Sequence, residues 1–234
     1  MLTYLVSSKD ELERIKHIEA LRNLFPGIVS IEAIYPQKTH IPFYSQIKTI
    51  SKTRTGSAIS DGALGCLLSH RVIWMRFLNQ QDHDYCLILE SDSKIENLAI
   101  IQSHQKSIST QYDLFFWGAF DHRMKLLQST KMDLVQPYQI GTPLVHSLYC
   151  TYGYSVNKTA AKFLLESTKK FNYPVDYWKL RLKNSPLRVG GILPNIITTV
   201  NSFKSTISQS NQNIFVLLFD SMINLKNSVI SFFK

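Results

Sequence analysis

The chain runs to 234 residues, 44% hydrophobic and 18% charged, with 26 Lys and Arg against 17 Asp and Glu for a net charge of +9. Such a length suits one domain, or one large domain with an appendage; the apolar content excludes a disordered chain, and nine Gly with eight Pro exclude a collagenous one. The positive balance fits an anionic partner (nucleic acid, a phospholipid surface or a phosphate-bearing small molecule) without choosing among them.

Residues 2–6 are β-rich and end in Ser7-Ser8, which predicts a strand entering a loop. Asp10 with Glu13 three residues on makes a capping-box pattern, and Leu12, Ile15, Ile18 and Leu21–Leu24 continue at helical spacing until Pro26-Gly27. Alternation over residues 28–34 predicts a second strand, closing a β-α-β unit. Residues 36–61 are polar and turn-rich, and read as a long functional loop. Asp61 is positioned to cap a helix from about 62 to 79. The uninterrupted apolar run 85–89 predicts a central strand of a parallel sheet covered on both faces. A helix near 97–109, strands at 112–118 and 149–156, and a helix over 158–170 follow. Strands alternating with helices predict an α/β sandwich of the nucleotide-binding, Rossmann-like kind.

The end of the chain differs. Residues 201–213 are rich in Ser, Asn and Gln like a linker, and 214–234 form an amphipathic helical pattern with Ile214, Leu218, Met222, Leu225, Val229 and Phe233 on one broad face. Such a helix either lies in a membrane interface or packs on its own domain or a second copy. No run approaches the ~18 apolar residues of a bilayer span. The start also lacks the pattern of a secretory leader. Cys66, Cys86 and Cys150 form no Cys-x-x-Cys pair, and read as free thiols in a reducing compartment. Cytoplasmic placement is the expectation.

Ligands of open α/β sheets bind beyond the carboxyl ends of the strands, and Glu90-Ser91-Asp92 sits at such an end. Carboxylates one residue apart project to the same side of an extended chain and suit a hard dication, which would screen a diphosphate. The competing reading is a solvated loop or a helix cap.

The stretch Gly65-Cys66-Leu67-Leu68-Ser69-His70, then Trp74, then Tyr85 through Glu90-Ser91-Asp92 resembles the signature of glycosyltransferase family 25, which includes lipooligosaccharide galactosyltransferases of Gram-negative bacteria. Tyr112-Asp113 before an apolar strand ending at Gly118, Gly153-Tyr154-Ser155, Pro174-Val175-Asp176, Ser205-Thr206-Ile207 and Glu13-Arg14 match further family elements in order. The likeness spans about residues 3–207. Two departures stand out: Ser91 replaces the middle acid of the family's Glu-Asp-Asp, and the first strand lacks the usual Asn-Leu.

The resemblance implies a GT-A-type domain over 1–207; it leaves 208–234 outside, where the apolar pattern reads as a C-terminal amphipathic helix for membrane association or a dimer contact. It implies a UDP-sugar donor, a divalent metal (Mn²⁺, with Mg²⁺ as the alternative) and inversion at the anomeric carbon. The reaction it implies carries galactose from UDP-galactose to a lipid-linked lipooligosaccharide or lipopolysaccharide glycan. The site would lie at the inner face of the inner membrane, in peripheral contact with anionic lipid and without nucleic acid. Asp92 and Glu90 would hold the metal, and Arg14, Ser69, His70, Glu90 and Asp92 the donor. Asp176 would be the base that takes the acceptor proton. By themselves these residues have blander readings: Asp176 as a helix cap, Arg14 as an exposed helix charge, His70 as a satisfied core residue. Asp113 and Asp121 are reserve bases, with Asp113 at the start of a buried strand read first as positioning a loop, and Lys52, Arg54, Arg123 and Lys125 in predicted loops are either phosphate contacts or simply solvated charges. A non-catalytic UDP-sugar or glycan binder with a degenerate metal motif is the alternative function.

Overall fold

A computed structural model describes residues 1–120, 123–200 and 214–233. In chain order the elements are β1 (Leu2–Ser7), α1 (Ile15–Leu24), β2 (Val29–Glu32), α2 (Tyr44–Thr55), α3 (Asp61–Leu78), β3 (Tyr85–Glu90), β4 (Ser93–Ile95), α4 (Leu98–Gln111) and β5 (Leu114–Phe116). Then come β6 (Met132–Val135), β7 (Tyr138–Gly141), β8 (Gly153–Asn157), α5 (Lys158–Ser167), α6 (Trp178–Leu182), β9 (Val189–Leu193), β10 (Ile197–Thr199) and α7 (Ile214–Phe233).

Eight strands form one sheet in the order β2-β1-β3-β8-β5-β9-β7-β6, and β10 pairs with β4 beside it. The sheet is mixed rather than parallel. The pairs β1–β2, β1–β3 and β5–β9 are parallel, but β8 runs antiparallel to both β3 and β5, and the β6–β7 hairpin is antiparallel. The continuous apolar run of β3 does reflect burial on both faces. Cys86 and Ile88 join a core that includes Trp74, Phe77, Tyr154 and Trp178, from α3, β8 and α6. Leu87 and Leu89 join the opposite core, with Ile18, Leu21, Ile101 and Ile108 from α1 and α4. Each fully buried Leu or Ile contributes about 1.5–3 kcal/mol, so this strand anchors both layers of an α/β/α sandwich. Its period of two also sends Glu90 to the α3 face, with Cys86 and Ile88.

Several local expectations are corrected. Asp10 and Glu13 form no capping box. The chain opens α1 through a 3₁₀ turn at Leu12–Arg14 whose preceding residue, Glu11, makes no side-chain cap, and Asp10 pairs instead with Lys38. Leu12 and Ile15 are exposed, so the buried stripe is Ile18, Leu21 and Phe25. Ser60 rather than Asp61 caps α3, its hydroxyl accepting from the Ala63 N–H. Residues 36–61 are not all loop, because α2 fills 44–55 and buries Ile47 against Ile59, Ala63 and Leu64. The helix was hidden by its composition, with only Ile47 and Ser51 of its twelve residues buried.

Asp113 sits where β5 begins, clamped by Arg188 at 2.8 Å, by the Arg188 N–H and by Asn157. Although burial opposes it, these hydrogen bonds hold its carboxyl below the ordinary Asp value. This clamp lies at the amino end of the strand and fastens β5 to β9. Asp113 is therefore a structural ion pair rather than a reserve base, and Asp121 lies outside the described residues.

Candidate active site

A cleft opens over the carboxyl ends of β1, β2 and β3. Its wall includes Val6, Arg14, Tyr35, Cys66, Glu90 and Asp92, and its volume is about 170 Å³. The floor is the turn after β3. The Glu90 N–H donates to Ser93 Oγ at 2.9 Å, the Val200 N–H donates to the Asp92 carbonyl at 2.9 Å, and His17 Nε2 meets the Ser93 carbonyl at 2.8 Å. These ties fix the backbone that presents both carboxylates.

Glu90 is a hub. Its Oε1 accepts from His70 Nε2 at 3.0 Å, from the Thr151 hydroxyl, and from Cys66 Sγ at 3.7 Å. The proton order along this chain follows from its far end. Trp74 Nε1 can only donate, and it meets Tyr154 Oη at 3.0 Å. The Tyr154 hydroxyl proton is then left for His70 Nδ1 at 2.8 Å, so His70 carries its own proton on Nε2 and gives that bond to Glu90. Burial pushes the Glu90 carboxyl up, but the bonds from His70, Thr151 and Cys66 prevail and hold it below its ordinary value. His70 is fully buried, behind Glu90 rather than on the cleft wall.

Asp92 is in the opposite condition. Burial first, then the negative Glu90, push its carboxyl up to about 6. Arg14 lies 3.6 Å from its Oδ2, while Oδ1 is buried with no hydrogen-bond partner among the described residues. Arg14 is itself buried, and donates to Ser91 Oγ at 2.7 Å and pairs with Glu11 at 3.4 Å. An orphaned, buried carboxylate oxygen beside a second carboxylate fits a hard dication. Cys66, His70 and Glu90 also bring three ligand atoms within 4.8 Å of one another. That trio is already satisfied by its own hydrogen bonds. A metal on His70 Nε2 would also force a proton onto Nδ1 and strand the Tyr154 hydroxyl proton, so the oxygen site at Asp92 is the better fit.

Asp176 lies close enough to Glu90 and Cys66 for their charges to interact. Burial, then Glu90, push its carboxyl above the ordinary Asp value. The residue flanking α6 is Tyr177, with no side-chain cap, so Asp176 does not cap that helix. Its loop is gripped by Arg181, buried and pushed down to about 10 by that burial, which donates to the carbonyls of Ser167, Tyr173, Pro174 and Val175.

Ser69 is spent on backbone, accepting from the Ile34 N–H at 2.9 Å and donating to the Gly65 carbonyl at 2.8 Å. It thereby holds the Ile34–Tyr35 edge of the cleft against α3. Gly65 makes that approach possible, because a Cβ there would stand 2.1 Å from the Ile34 carbonyl oxygen. Gly65→Ala is expected to cost about 3 kcal/mol, the upper range for overpacking. Urea denaturation of the variant checks this, and wild-type stability would remove the close-approach account.

The chain pattern thus picked out Arg14, Ser69, Glu90 and Asp92 on the cleft wall, His70 behind Glu90, and Asp176 within charge reach of Glu90. It missed Glu11, Tyr35, Thr151 and Arg181. Glu11 had a weak signal in its i, i+3 spacing to Arg14; the others had none. Lys52 and Arg54 stand on the last turn of α2 rather than in a loop.

The mixed sheet with a cleft and carboxylates over its strand ends defines an α/β protein of Rossmann-like kind. Residues 1–178 match the model of glycosyltransferase family 25, described as an LPS biosynthesis protein. The chain belongs to that family, and is a glycosyltransferase of lipopolysaccharide biosynthesis. No curated protein matches it. Among solved structures, A197 from STIV is similar with a TM-score of 0.42 at 10% identity, over 90% of this chain and 98% of that one.

Proposed function

We propose that the protein is a metal-dependent, inverting transferase with a GT-A-type domain, moving galactose from UDP-galactose to a lipid-linked lipopolysaccharide glycan. The observation that carries this reading is the meeting of Asp92, with its orphaned oxygen, and the elevated Asp176 carboxyl near one hydrogen-bonded Glu90. Asp92 and Glu90 would hold Mn²⁺, which would supply positive charge to the diphosphate leaving group. Arg14 balances the acidic turn, and Tyr35 gives the donor an aromatic wall. The acceptor hydroxyl oxygen bonds to the anomeric carbon as the bond from that carbon to phosphate oxygen breaks, and the hydroxyl proton passes to an Asp176 carboxylate oxygen.

Ser91 at the family's middle acid does not argue against turnover, since its side chain serves Arg14. Incubation with UDP-galactose, Mn²⁺ and delipidated core oligosaccharide tests the reading. Acceptor-dependent UDP release supports it; donor binding without release under any acceptor would favour a non-catalytic binder.

Membrane placement is the second part of the proposal. Among the described residues no helix is long and apolar enough to cross a bilayer. Over residues 223–232, however, helix α7 turns polar side chains inward. Asn227 and Ser231 are buried, and Asn227 donates to the His146 carbonyl. Leu225, Val229 and Phe232 (68, 49 and 68% exposed) form an outward stripe at i, i+4, i+7 beside exposed Lys226. A stripe of this kind with a flanking cation suits the headgroup boundary of an anionic bilayer. Wild-type protein is expected to float with phosphatidylglycerol vesicles, and the triple Ser variant of 225, 229 and 232 to stay in the dense fraction. Equal flotation of the two would refute the assignment.

A further inference from the structure

Beside the cleft lies a second, shallower groove of about 540 Å³, and Pro36 and Gln37 line both. Its wall includes Thr39, His40, Phe43 and Tyr44. Phe43 carries two costs at once. Its ring is 75% exposed, and its backbone is left-handed at φ 58°, ψ 26°, where an L residue with a bulky side chain is strained and Gly or Asn is not. Among the described residues Phe43 joins none of the buried apolar clusters, and its ring faces solvent at the groove. Strain kept in place without a packing return marks a functional position.

The chemistry of the groove fits one ligand class. An exposed aromatic face stacks on the C–H face of a pyranose, and the neutral donors and acceptors around it (Gln37, Thr39, Ser45) match sugar hydroxyls. The groove adjoins the donor cleft, and α2, which Phe43 precedes, reaches the loop before Asp176 through the Ser51 hydroxyl on the Asn172 carbonyl. The cleft proper is too small for a whole nucleotide sugar plus a glycan. We infer that this groove is the acceptor-glycan subsite and that Phe43 is its stacking platform, an assignment that rests on the transferase reading above.

The experiment compares Phe43→Gly, which accepts the left-handed backbone, with Phe43→Trp, which keeps an aromatic face. Acceptor and donor KM are measured with delipidated core oligosaccharide and UDP-galactose. Phe43→Gly is expected to raise acceptor KM about tenfold with less than a twofold shift in donor KM, and to raise the melting temperature by relieving strain. Phe43→Trp is expected to stay within twofold of wild type in both. Equal acceptor KM in all three proteins, or a parallel rise in donor KM, would overturn the assignment. Should wild type transfer nothing, the transferase reading fails on its own. Saturation-transfer NMR with the same oligosaccharides then decides the groove: signals lost in Phe43→Gly support it, and equal signals sink it.

Discussion

Asp176→Asn is expected to lower turnover by about a thousandfold, within the range that general-base removal produces, while donor binding survives. The amide has the size of the carboxylate and cannot take a proton. Fold damage is not the cause to expect, because Arg181 grips the loop through backbone carbonyls that the substitution leaves alone. Burial and the negative Glu90 already oppose ionisation of Asp176, so the variant should melt higher than wild type. Single-turnover assays beside thermal melts separate the two effects. Wild-type turnover would remove Asp176 as the base, and a lowered melting point would mean that the carboxylate holds structure instead.

Asp92→Asn carries the second large effect. A folded carboxyl pushed up to about 6 from 3.8 binds an extra proton in the fold. Its ionisation therefore lowers stability as pH rises through that window. In metal-free protein the Asn variant should be more stable by on the order of 1–2 kcal/mol above pH 6, a margin that closes below pH 4. With UDP present, the variant should bind Mn²⁺ at least about tenfold more weakly by calorimetry. A pH-independent difference would contradict the burial account, and unchanged Mn²⁺ affinity would place the cation elsewhere.

The reach of the sequence is clear from particular residues. The uninterrupted apolar run Tyr85–Leu89 announced a doubly covered strand and placed Glu90 at its carboxyl end, because an unbroken run of strand length is written in local order. The partners of that strand were not legible. That β8 enters antiparallel between β3 and β5 depends on long-range pairing, which no local pattern encodes. Helix α2 escaped because its two buried residues leave almost no apolar stripe. In the site, Arg14, Glu90, Asp92 and Asp176 came from motif order. The hub role of Glu90 with His70 behind it, the neutral service of Ser91 and the grip of Arg181 on main-chain oxygens arise from distant segments meeting in space. Spacing cannot report such meetings.

That grip has a consequence for how such an enzyme diversifies. Because the guanidinium of Arg181 and the Ser51 hydroxyl hold this loop by its carbonyl oxygens, the identity of the side chain at Asn172 is immaterial to where the neighbouring carboxylate sits. Lineages can exchange that side chain, and with it the shape offered to an incoming sugar, while the proton-accepting atom keeps its address. Innovation in substrate choice is thereby uncoupled from loss of chemistry.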